Sequence, residues 1–198
     1  MATSSTSLKE TRDSKSSGLA EVTLRPGTEA DIPVMLRLMD ERTAWLVTQG
    51  LSGQWGTERQ SDQPRRVEGA TKMAKSGGTW IAIEKGPSES NEQVLGVLTV
   101  GDAASYVNPA TEPELYINYL ITDPKRGGGR GLGSMLVEKA KTLAREKGVP
   151  IIRLDCYAGG DGKLVRWYES QGFQKQEAFK EKGWPGQVLS MRLQGDQS

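Results

Sequence analysis

A glycine-rich segment beyond the middle of the chain has the residue types that bind phosphate groups. Residues 125–134 read KRGGGRGLGS, follow an apolar run at 116–122 and lead into a helical pattern at 132–147. Glycines let a loop curl so that several backbone N–H groups point at one phosphate, and a helix N-terminus adds about half a positive charge. Arg126 and Arg130 can add charge-assisted hydrogen bonds. This order of strand, glycine-rich turn and helix predicts an anion-binding site.

Spacing distinguishes this loop from two other phosphate-binding motifs. A Walker A loop ends in Gly-Lys-Ser/Thr, and no Lys-Ser or Lys-Thr closes this segment. A dinucleotide-binding fingerprint needs an acidic residue about 20 residues later, and Asp155 lies roughly in that range. Such a fingerprint normally opens a repeated βαβ chain, whereas this loop comes past the midpoint. We therefore rank the dinucleotide interpretation low, although the spacing does not exclude it.

The composition narrows the chemistry that the protein can perform. The 198 residues include no histidine and one cysteine, Cys156. This removes Ser-His-Asp and Cys-His catalysis, an internal disulfide and cysteine-built metal sites, so we expect no metal. Lys and Arg number 26 against 25 Asp and Glu, and the net charge of +1 indicates neither nucleic acid nor a membrane surface as a partner. Acid–base chemistry falls to carboxylates, tyrosine, lysine or water in a protein that we expect to be cytoplasmic.

Alternating hydrophobic periods predict one domain between two tails. Residues 1–20 are rich in Ser and Thr and nearly free of large apolar side chains, which predicts a disordered tail, and 195–198 form a second tail. Between them, residues 21–194 predict the element order βααβββαβαββ. The predicted strands cover 21–25, 79–85, 94–100, 114–122, 149–156, a segment from 172, and 187–193. The predicted helices follow Thr28, then cover 64–75, 132–147 and 163–171, which indicates an α/β domain around one mixed sheet.

Two local patterns bear on the first helix and on the loops. Thr28 and Asp31 have the spacing of a capping box, which indicates a helix start. Trp55 lies in the polar segment 51–63, where it can line a pocket or cover the core, and both interpretations are open. Trp184 lies in the predicted loop 180–186 between the last two strands.

Three spaced segments resemble the GCN5-related N-acetyltransferase (GNAT) family. Residues 120–124 (LITDP), the glycine-rich turn and 131–136 (GLGSML) resemble the family's motif A. Residues 161–173, with their Tyr-x-x-x-Gly-Phe ending, resemble motif B, and 24–31 (LRPGTEAD) is similar to the usual start of the fold. The resemblance covers about residues 22–193. It implies the GNAT (acyl-CoA N-acyltransferase) fold, a mixed and mostly antiparallel central sheet flanked by helices.

The chain departs from the family pattern at two positions. The family motif reads Gln/Arg-x-x-Gly-x-Gly/Ala. If the motif's glycines are aligned with Gly131 and Gly133, Gly128 stands where Gln or Arg is expected. If they are aligned with Gly129 and Gly131, Arg126 takes that place but the start of the helix shifts. We favour the first alignment. Asp161 stands where the family usually has Asn, and an ionised carboxylate accepts hydrogen bonds but cannot donate them.

The resemblance implies a binding site for acetyl-CoA between the strand ending at 122 and the strand ending near 156. Backbone groups of Leu120, Ile121 and Thr122 would pair with the pantetheine arm as an added strand does. The pyrophosphate would lie on backbone N–H groups of the glycine-rich loop. The other implied cofactor-binding residues are Arg126, Gly128, Gly129, Arg130, Gly131, Leu132, Gly133, Ser134, Asp161, Trp167 and Tyr168.

The implied reaction is direct attack of an amine on the thioester. Tyr168 matches the family position of the acid that protonates the leaving thiolate. Two-residue alternation predicts that Glu114, Tyr116, Asn118, Leu120 and Thr122 share one strand face, which offers Glu114 as the base. A solvated strand end is equally open for Glu114, and Asp155 or a chain of waters can serve instead. The predicted substrate-binding residues are Trp55, Tyr116, Asn118, Asp155 and Trp184.

The predicted function is acetylation of the primary amine of a small molecule. Related protein-acetylating enzymes often place tyrosines between the last two strands, whereas residues 180–186 contain Trp184 and no tyrosine. The alternatives are a protein or peptide N-acetyltransferase and a non-catalytic acyl-CoA-binding module. Homodimers are common in the family, although no heptad pattern or exposed apolar stripe in this sequence indicates one.

Overall fold

The computed structural model describes residues 22–85, 92–126 and 130–194. The predicted tails at 1–20 and 195–198 lie outside these residues. So do three residues of the predicted phosphate-binding loop, Gly127, Gly128 and Gly129.

The observed element order confirms the predicted α/β fold. The strands in the described residues are β1 (Val22–Pro26), β2 (Thr79–Lys85), β3 (Glu92–Gly101), β4 (Glu114–Thr122), β5 (Ile151–Tyr157), β6 (Gln174–Glu181) and β7 (Trp184–Arg192). The helices are α1 (Ile32–Thr48), α2 (Pro64–Lys75), α3 (Leu132–Glu146) and α4 (Lys163–Ser170). The strands form one sheet in the order β1-β2-β3-β4-β5-β7-β6, in which β4 and β5 are parallel and the other neighbours antiparallel.

Helices cover the sheet on both faces, because the strands carry apolar side chains on both. Helices α3 and α4 pack against the face that presents Leu98, Leu115, Ile117, Ile152, Leu154 and Leu189. Helices α1 and α2 pack against the opposite face, at Ile81, Ile83, Val97 and Ile121. Burial of these side chains is the main favourable contribution to stability.

A β-bulge at Asn118 divides β4 into two halves, and the alternation of side chains between the two sheet faces is inverted from one half to the other. Thr99 pairs with Tyr119 and Val100 with Ile117, so Asn118 is the extra residue of β4. Leu115 and Ile117 therefore point towards α3 and α4, while Tyr119 and Ile121 point towards α1 and α2. The prediction that Glu114, Tyr116, Asn118, Leu120 and Thr122 share one face is wrong, because one inserted residue inverts the alternation beyond it.

The hairpin between β6 and β7 is tighter than the predicted loop 180–186. Its turn consists of Lys182 and Gly183, with φ of +49° and +89°. Two central residues of positive φ form the type I′ turn that suits the twist of a two-residue hairpin. Trp184 consequently belongs to β7 and not to a loop, so its backbone is part of the sheet.

The predicted capping box is confirmed at the start of α1. A short 3₁₀ turn, Glu29–Asp31, precedes the helix, and the Asp31 carboxylate accepts the N–H of Thr28 at 2.8 Å. The Arg25 guanidinium donates two hydrogen bonds to the same carboxylate, at 2.8 and 3.0 Å. The hydrogen bond from Arg25 lowers the pKa of Asp31, with the Thr28 bonds acting in the same direction.

The described residues contain neither a membrane-spanning helix nor a metal-holding cluster. None of their helices has the length and apolar character that a bilayer crossing requires. Their His, Cys, Asp and Glu side chains form no cluster of three or more of the kind that holds a metal ion.

We predict that Asp31→Ala lowers the free energy of unfolding by about 1–2 kcal/mol at neutral pH, because a cap and a paired carboxylate are lost together. Urea unfolding measures the change. Since the folded-state pKa of Asp31 is lowered, its contribution is present above the ordinary carboxylate pKa and is lost as the pH falls through the folded value. Asp62→Ala, at an exposed carboxylate, is the matched control. Equal losses from the two substitutions would contradict the assigned role of Asp31.

Candidate active site

The two parallel strands at the centre of the sheet separate part-way along their length. Parallel pairing joins Glu114–Ile117 of β4 to Ile151–Leu154 of β5 and then stops. Beyond that point β4 remains paired with β3, and β5 with β7. Among the described residues neither strand has a partner on the edge that faces the other. A gap therefore opens between residues 118–122 and 155–157.

Two residues of β4 direct their backbone polar groups into this gap. The N–H of Asp123 donates to the carbonyl of Leu95 at 2.7 Å, which sets the alternation of the β3–β4 ladder. In an antiparallel ladder, alternate residues point their N–H and C=O away from the partner. Leu120 and Thr122 are those residues here. Ile121, also predicted to contact the cofactor, directs its backbone to β3 and its side chain into the core.

The facing edge belongs to β5 and is lined in the same way. The N–H of Ala158 donates to the carbonyl of Pro185 at 3.0 Å, so the ladder with β7 leaves the N–H and C=O of Asp155 and Tyr157 directed towards the gap. Both walls thus present backbone donors and acceptors. An extended ligand with amide groups can satisfy them as an added strand would.

An arginine from α1, which sequence analysis did not single out, contacts the last residue of the β4 wall. Arg42 donates from Nη2 to the Thr122 carbonyl at 2.5 Å and to the Thr122 hydroxyl at 2.8 Å. Burial lowers the pKa of Arg42, and the charge of Asp123 opposes that effect. The guanidinium also lies over the Trp45 ring, 4.9 Å from its centroid. The contact spans 80 positions in the sequence, so no local pattern could have indicated it.

The glycine-rich loop begins at a buried aspartate. Asp123 is 3% exposed, and its Oδ1 accepts the N–H groups of Lys125 at 2.7 Å and Arg126 at 3.1 Å. These bonds turn the chain sharply at the end of β4, as aspartate side chains do in Asx turns. The Arg126 side chain is exposed at the start of the loop.

Two glycines at the start of α3 are required for different reasons. Gly131 has φ of +69°, and an added Cβ would meet nothing within 4 Å, so its backbone conformation favours glycine. An added Cβ on Gly133 would lie 2.7 Å from the Trp167 ring. Gly133 thus permits close packing of α4 against α3. Leu132 is buried in the core and Ser134 is half-buried on the first turn.

Three other predicted cofactor-binding side chains contact the protein itself. Arg130 pairs with Glu84 of β2 at 2.7 Å. Trp167 packs on Gly133 and lies edge-on to Tyr168, with ring centroids 4.8 Å apart. Asp161 is exposed with φ of +62°, and its carboxylate accepts the N–H that begins α4. The Asp161 carboxylate thus interacts with the first residue of α4, Lys163.

Tyr168 and Cys156 lie on the α3/α4 face of the sheet. Tyr168 is 7% exposed, packs edge-on against Phe173, and its hydroxyl donates to no described residue. Burial raises the pKa of Tyr168 above its ordinary value, so the phenol stays protonated at neutral pH. Burial also raises the pKa of Cys156 to about 12, which leaves its thiol un-ionised and a poor nucleophile.

Asp155 lies on the opposite face, next to Cys156 in sequence. Its Oδ1 accepts the Tyr116 hydroxyl at 2.5 Å and its Oδ2 the Tyr106 hydroxyl at 3.3 Å. Burial raises the pKa of Asp155, while the two hydroxyl bonds act against that shift. Tyr106 was missed by sequence analysis because it belongs to no motif. The gap is thereby flanked by a half-buried carboxylate on one face and a buried phenol on the other.

Glu114, the predicted base, is held in an ion pair. Its two carboxylate oxygens each lie 3.3 Å from Nη1 of Arg153, whose Nη2 donates to the Asn108 carbonyl at 3.0 Å. Glu114 is also at the closed end of the β4–β5 pair, opposite Ile151. The Glu114 carboxylate is thus occupied by the buried guanidinium of Arg153. Two observations therefore argue against Glu114 as the base: its ion pair with Arg153, and its place where β4 and β5 are still paired.

Aromatic side chains line the gap on the face that carries Asp155. Trp184 donates from Nε1 to the carbonyl of Gln54 at 2.9 Å, which joins β7 to the segment between α1 and α2. Its ring centroid lies 5.7 Å from that of Tyr157 and 6.0 Å from that of Phe179. The Phe179 ring is 5.4 Å from Tyr106. These rings form a continuous wall beside Asp155.

The two remaining predicted substrate residues lie away from this wall. Trp55 packs against the core cluster beneath α1 and α2, where it covers the core. Asn118 donates from Nδ2 to the carbonyl of Asp102 at 2.8 Å and so holds the segment after β3 against the bulge.

We predict that Asp155→Asn raises the free energy of unfolding near neutral pH. A group whose folded-state pKa is raised makes the protein less stable as the pH rises from the unfolded to the folded value, and Asn does not titrate. Urea unfolding of both proteins from pH 4 to pH 8 should show a difference that grows with pH. Asp102→Asn, at an exposed carboxylate, is the control. A variant less stable than the wild type at pH 8 and equal to it at pH 4 would contradict the prediction.

Comparisons with known proteins agree on one fold. A crystal structure of a GNAT-family acetyltransferase from Listeria monocytogenes is similar with a TM-score of 0.65 and 21% identity, over 89% of this chain and 97% of its own. Ribosomal-protein-alanine N-acetyltransferase from Brucella melitensis gives 0.61 and 18%, over 86% and 99%. Polyamine N-acetyltransferase from Drosophila melanogaster gives 0.62 and 15%, over 87% and 100%. Curated protein sequences gave no significant match.

The sequence itself matches a protein-family model described as the acetyltransferase (GNAT) family, over residues 39–173. That span covers more than half of the chain and includes β4, the start of α3 and Tyr168. The chain therefore belongs to the GNAT family and is an acetyltransferase whose acetyl donor is acetyl-CoA.

Proposed function

We propose that the protein acetylates the primary amine of a small molecule by direct attack of the amine on the thioester of acetyl-CoA. The observation that carries the proposal is the gap between β4 and β5, flanked by Asp155 on one face and Tyr168 on the other. Acetyl-CoA supplies the activated acetyl group. Every other requirement falls to side chains and backbone groups of this chain.

The backbone edges suit the amide groups of a pantetheine arm. Leu120 on one side, and Asp155 and Tyr157 on the other, offer N–H and C=O groups without a partner strand. Thr122 offers its N–H, because its carbonyl accepts a hydrogen bond from Arg42. The helix N-terminus after Gly131 and the preceding glycine-rich loop, with Gly128, Gly129 and Ser134, are the proposed seat of the pyrophosphate. Arg42 adds positive charge at the Thr122 end of the gap.

Asp155 is the proposed base. The acceptor must lose a proton before it can attack, and a carboxylate with a raised pKa holds that proton better than an ordinary one. Tyr116 and Tyr106 orient the carboxylate by donating one hydrogen bond to each oxygen. The acceptor amine then approaches the thioester from the face of the sheet that carries Asp155.

Tyr168 is the proposed acid. The thiolate that leaves has an ordinary thiol pKa of about 8.5 and is stabilised by a donor at the sulfur. The Tyr168 hydroxyl has no acceptor among the described residues and stays protonated. Base and acid are therefore separated by the sheet, on the sides where the amine arrives and the thiol departs.

The covered substrate face supports a small acceptor over an extended peptide. Trp184 bonds to Gln54, and Tyr157 is confined by two glycines, since an added Cβ on Gly53 or Gly159 would clash with its hydroxyl. The segment between α1 and α2 is thereby held over the end of β5. This cover restricts access to Asp155.

The test is a thiol-release assay of the purified protein with acetyl-CoA and a panel of amino acids, polyamines, aminoglycosides and peptides. We expect turnover with at least one class of small amine. Turnover with peptides alone would support the alternative of peptide acetylation. Binding of CoA without turnover on any acceptor would support a non-catalytic acyl-CoA-binding module and overturn the proposal.

We predict that Tyr168→Phe lowers kcat by roughly 10²-fold, because a general acid typically contributes at least that much. The KM for acetyl-CoA and the thermal midpoint should change little, since phenylalanine preserves the packing against Trp167 and Phe173. Steady-state kinetics and thermal unfolding separate the effects. A packing role would instead lower stability while leaving kcat near the wild-type value.

A further inference from the structure

We propose that the acceptor amine also carries a carboxylate, and that Arg66 of α2 binds it. This inference rests on the proposed function, because it concerns the acceptor of the same site. It narrows the substrate class to amino acids and related amino-carboxylates. Arg66 then determines specificity and takes no part in the chemical step.

Arg66 faces the substrate side of the sheet without an acidic partner among the described residues. Its side chain is half-buried, and Nη1 donates only a long bond, 3.4 Å, to the hydroxyl of Tyr119 on β4. Arg153 and Arg130, by contrast, are each paired with a glutamate. Removing a guanidinium from water without an anion costs free energy, which a bound carboxylate would offset.

A glycine one turn along α2 leaves open space beside this guanidinium. Gly69 lies three residues after Arg66 and therefore on the same face of the helix. Glycine within a helix costs about 1 kcal/mol relative to alanine. The surrounding protein does not require it, because an added Cβ would make an ordinary contact, 3.6 Å from the Tyr119 hydroxyl. Packing therefore does not explain the glycine, whereas room for a ligand beside Tyr119 would.

Two opposite charges lie near the same part of the gap: Asp155 accepts from Tyr106, and Arg66 donates to Tyr119 of β4. Burial is the largest cause of the raised pKa of Tyr106, which bonds to Asp155. The charge of Asp155 raises that pKa further, and the charge of Arg66 lowers it. Tyr106 is thus within electrostatic reach of the carboxylate and of the guanidinium. An acceptor with its ammonium at Asp155 would direct a carboxylate to Arg66, whereas a polyamine would bring a second cation there.

The donors at this position match the two oxygens of a carboxylate. One guanidinium and the Tyr119 hydroxyl provide a fork and one further donor. A phosphonate carries a third oxygen and more charge, for which these residues provide no second cation. Carboxylate and phosphonate analogues of the same amine therefore distinguish the two anions.

Calorimetric titration of the CoA-saturated protein tests the inference without turnover. The ligands are amino acids of several side-chain types, each with its amide, its decarboxylated amine and its phosphonate analogue. We expect the amino acids to bind at least ten-fold more tightly than the other three. Equal or tighter binding of the amides and amines would overturn the carboxylate assignment, and tighter binding of the phosphonates would replace it by a phosphate-type anion.

Two variants and one control locate the effect. Arg66→Gln should weaken amino acid binding at least ten-fold and amide binding less than two-fold, with the KM for acetyl-CoA unchanged. Arg65→Gln removes the same charge from an exposed neighbour and should change neither. Gly69→Leu should raise the thermal midpoint and still weaken amino acid binding, because it fills the proposed space. Equal losses for all ligands in Arg66→Gln would show a structural role and overturn the inference.

The outcomes also separate this inference from the function on which it rests. Failure of CoA itself to bind in the same calorimeter would overturn the proposed function. Amino acid binding that depends on Arg66, in a protein with no acetyl transfer, would support the anion site and reject catalysis.

Discussion

Parallel pairing between β4 and β5 ends after Ile117 and Leu154, and the rest of the site depends on that interruption. A bulge at Asn118 is the physical cause on the β4 side, since an extra residue bends a strand and breaks its ladder. Further along, the backbone groups of Leu120 and Thr122 face an open gap. A sheet whose central strands stayed paired would have no room for an extended ligand and no unsatisfied edge to hold one.

The same interruption lies between the proposed acid and the proposed base, which are on opposite faces of one sheet. Adjacent residues of a strand point to opposite sides, so Cys156 joins Tyr168 on the α3/α4 face while Asp155 meets Tyr116 on the other. Burial keeps the phenol protonated and makes the carboxylate a better proton acceptor. A half-buried carboxylate with a raised pKa is a cost to folding, so the proposed base role would oppose function and stability at Asp155.

The fold could be predicted from periodicity, because most elements carry a regular apolar pattern and end at glycine or proline. The bounds of α2, β2 and β4 were predicted to the residue. The bulge could not be, since a single inserted residue leaves no trace in a two-residue pattern until the strand is paired. Arg42 and Tyr106 were missed because their partners, Thr122 and Asp155, are distant in sequence and belong to other elements. Glu114 was named from its strand position, while its ion pair with Arg153 depends on the neighbouring strand.

Residue-resolved amide hydrogen exchange, with and without saturating CoA, tests the central claim most directly. The N–H groups of Leu120 and Thr122 face the gap, whereas that of Ile121 bonds to β3. We predict that the first two exchange rapidly in the free protein and at least ten-fold more slowly in the complex, with Ile121 protected in both. Unchanged exchange at Leu120 and Thr122 while CoA is bound would show that the ligand lies elsewhere and would contradict the account.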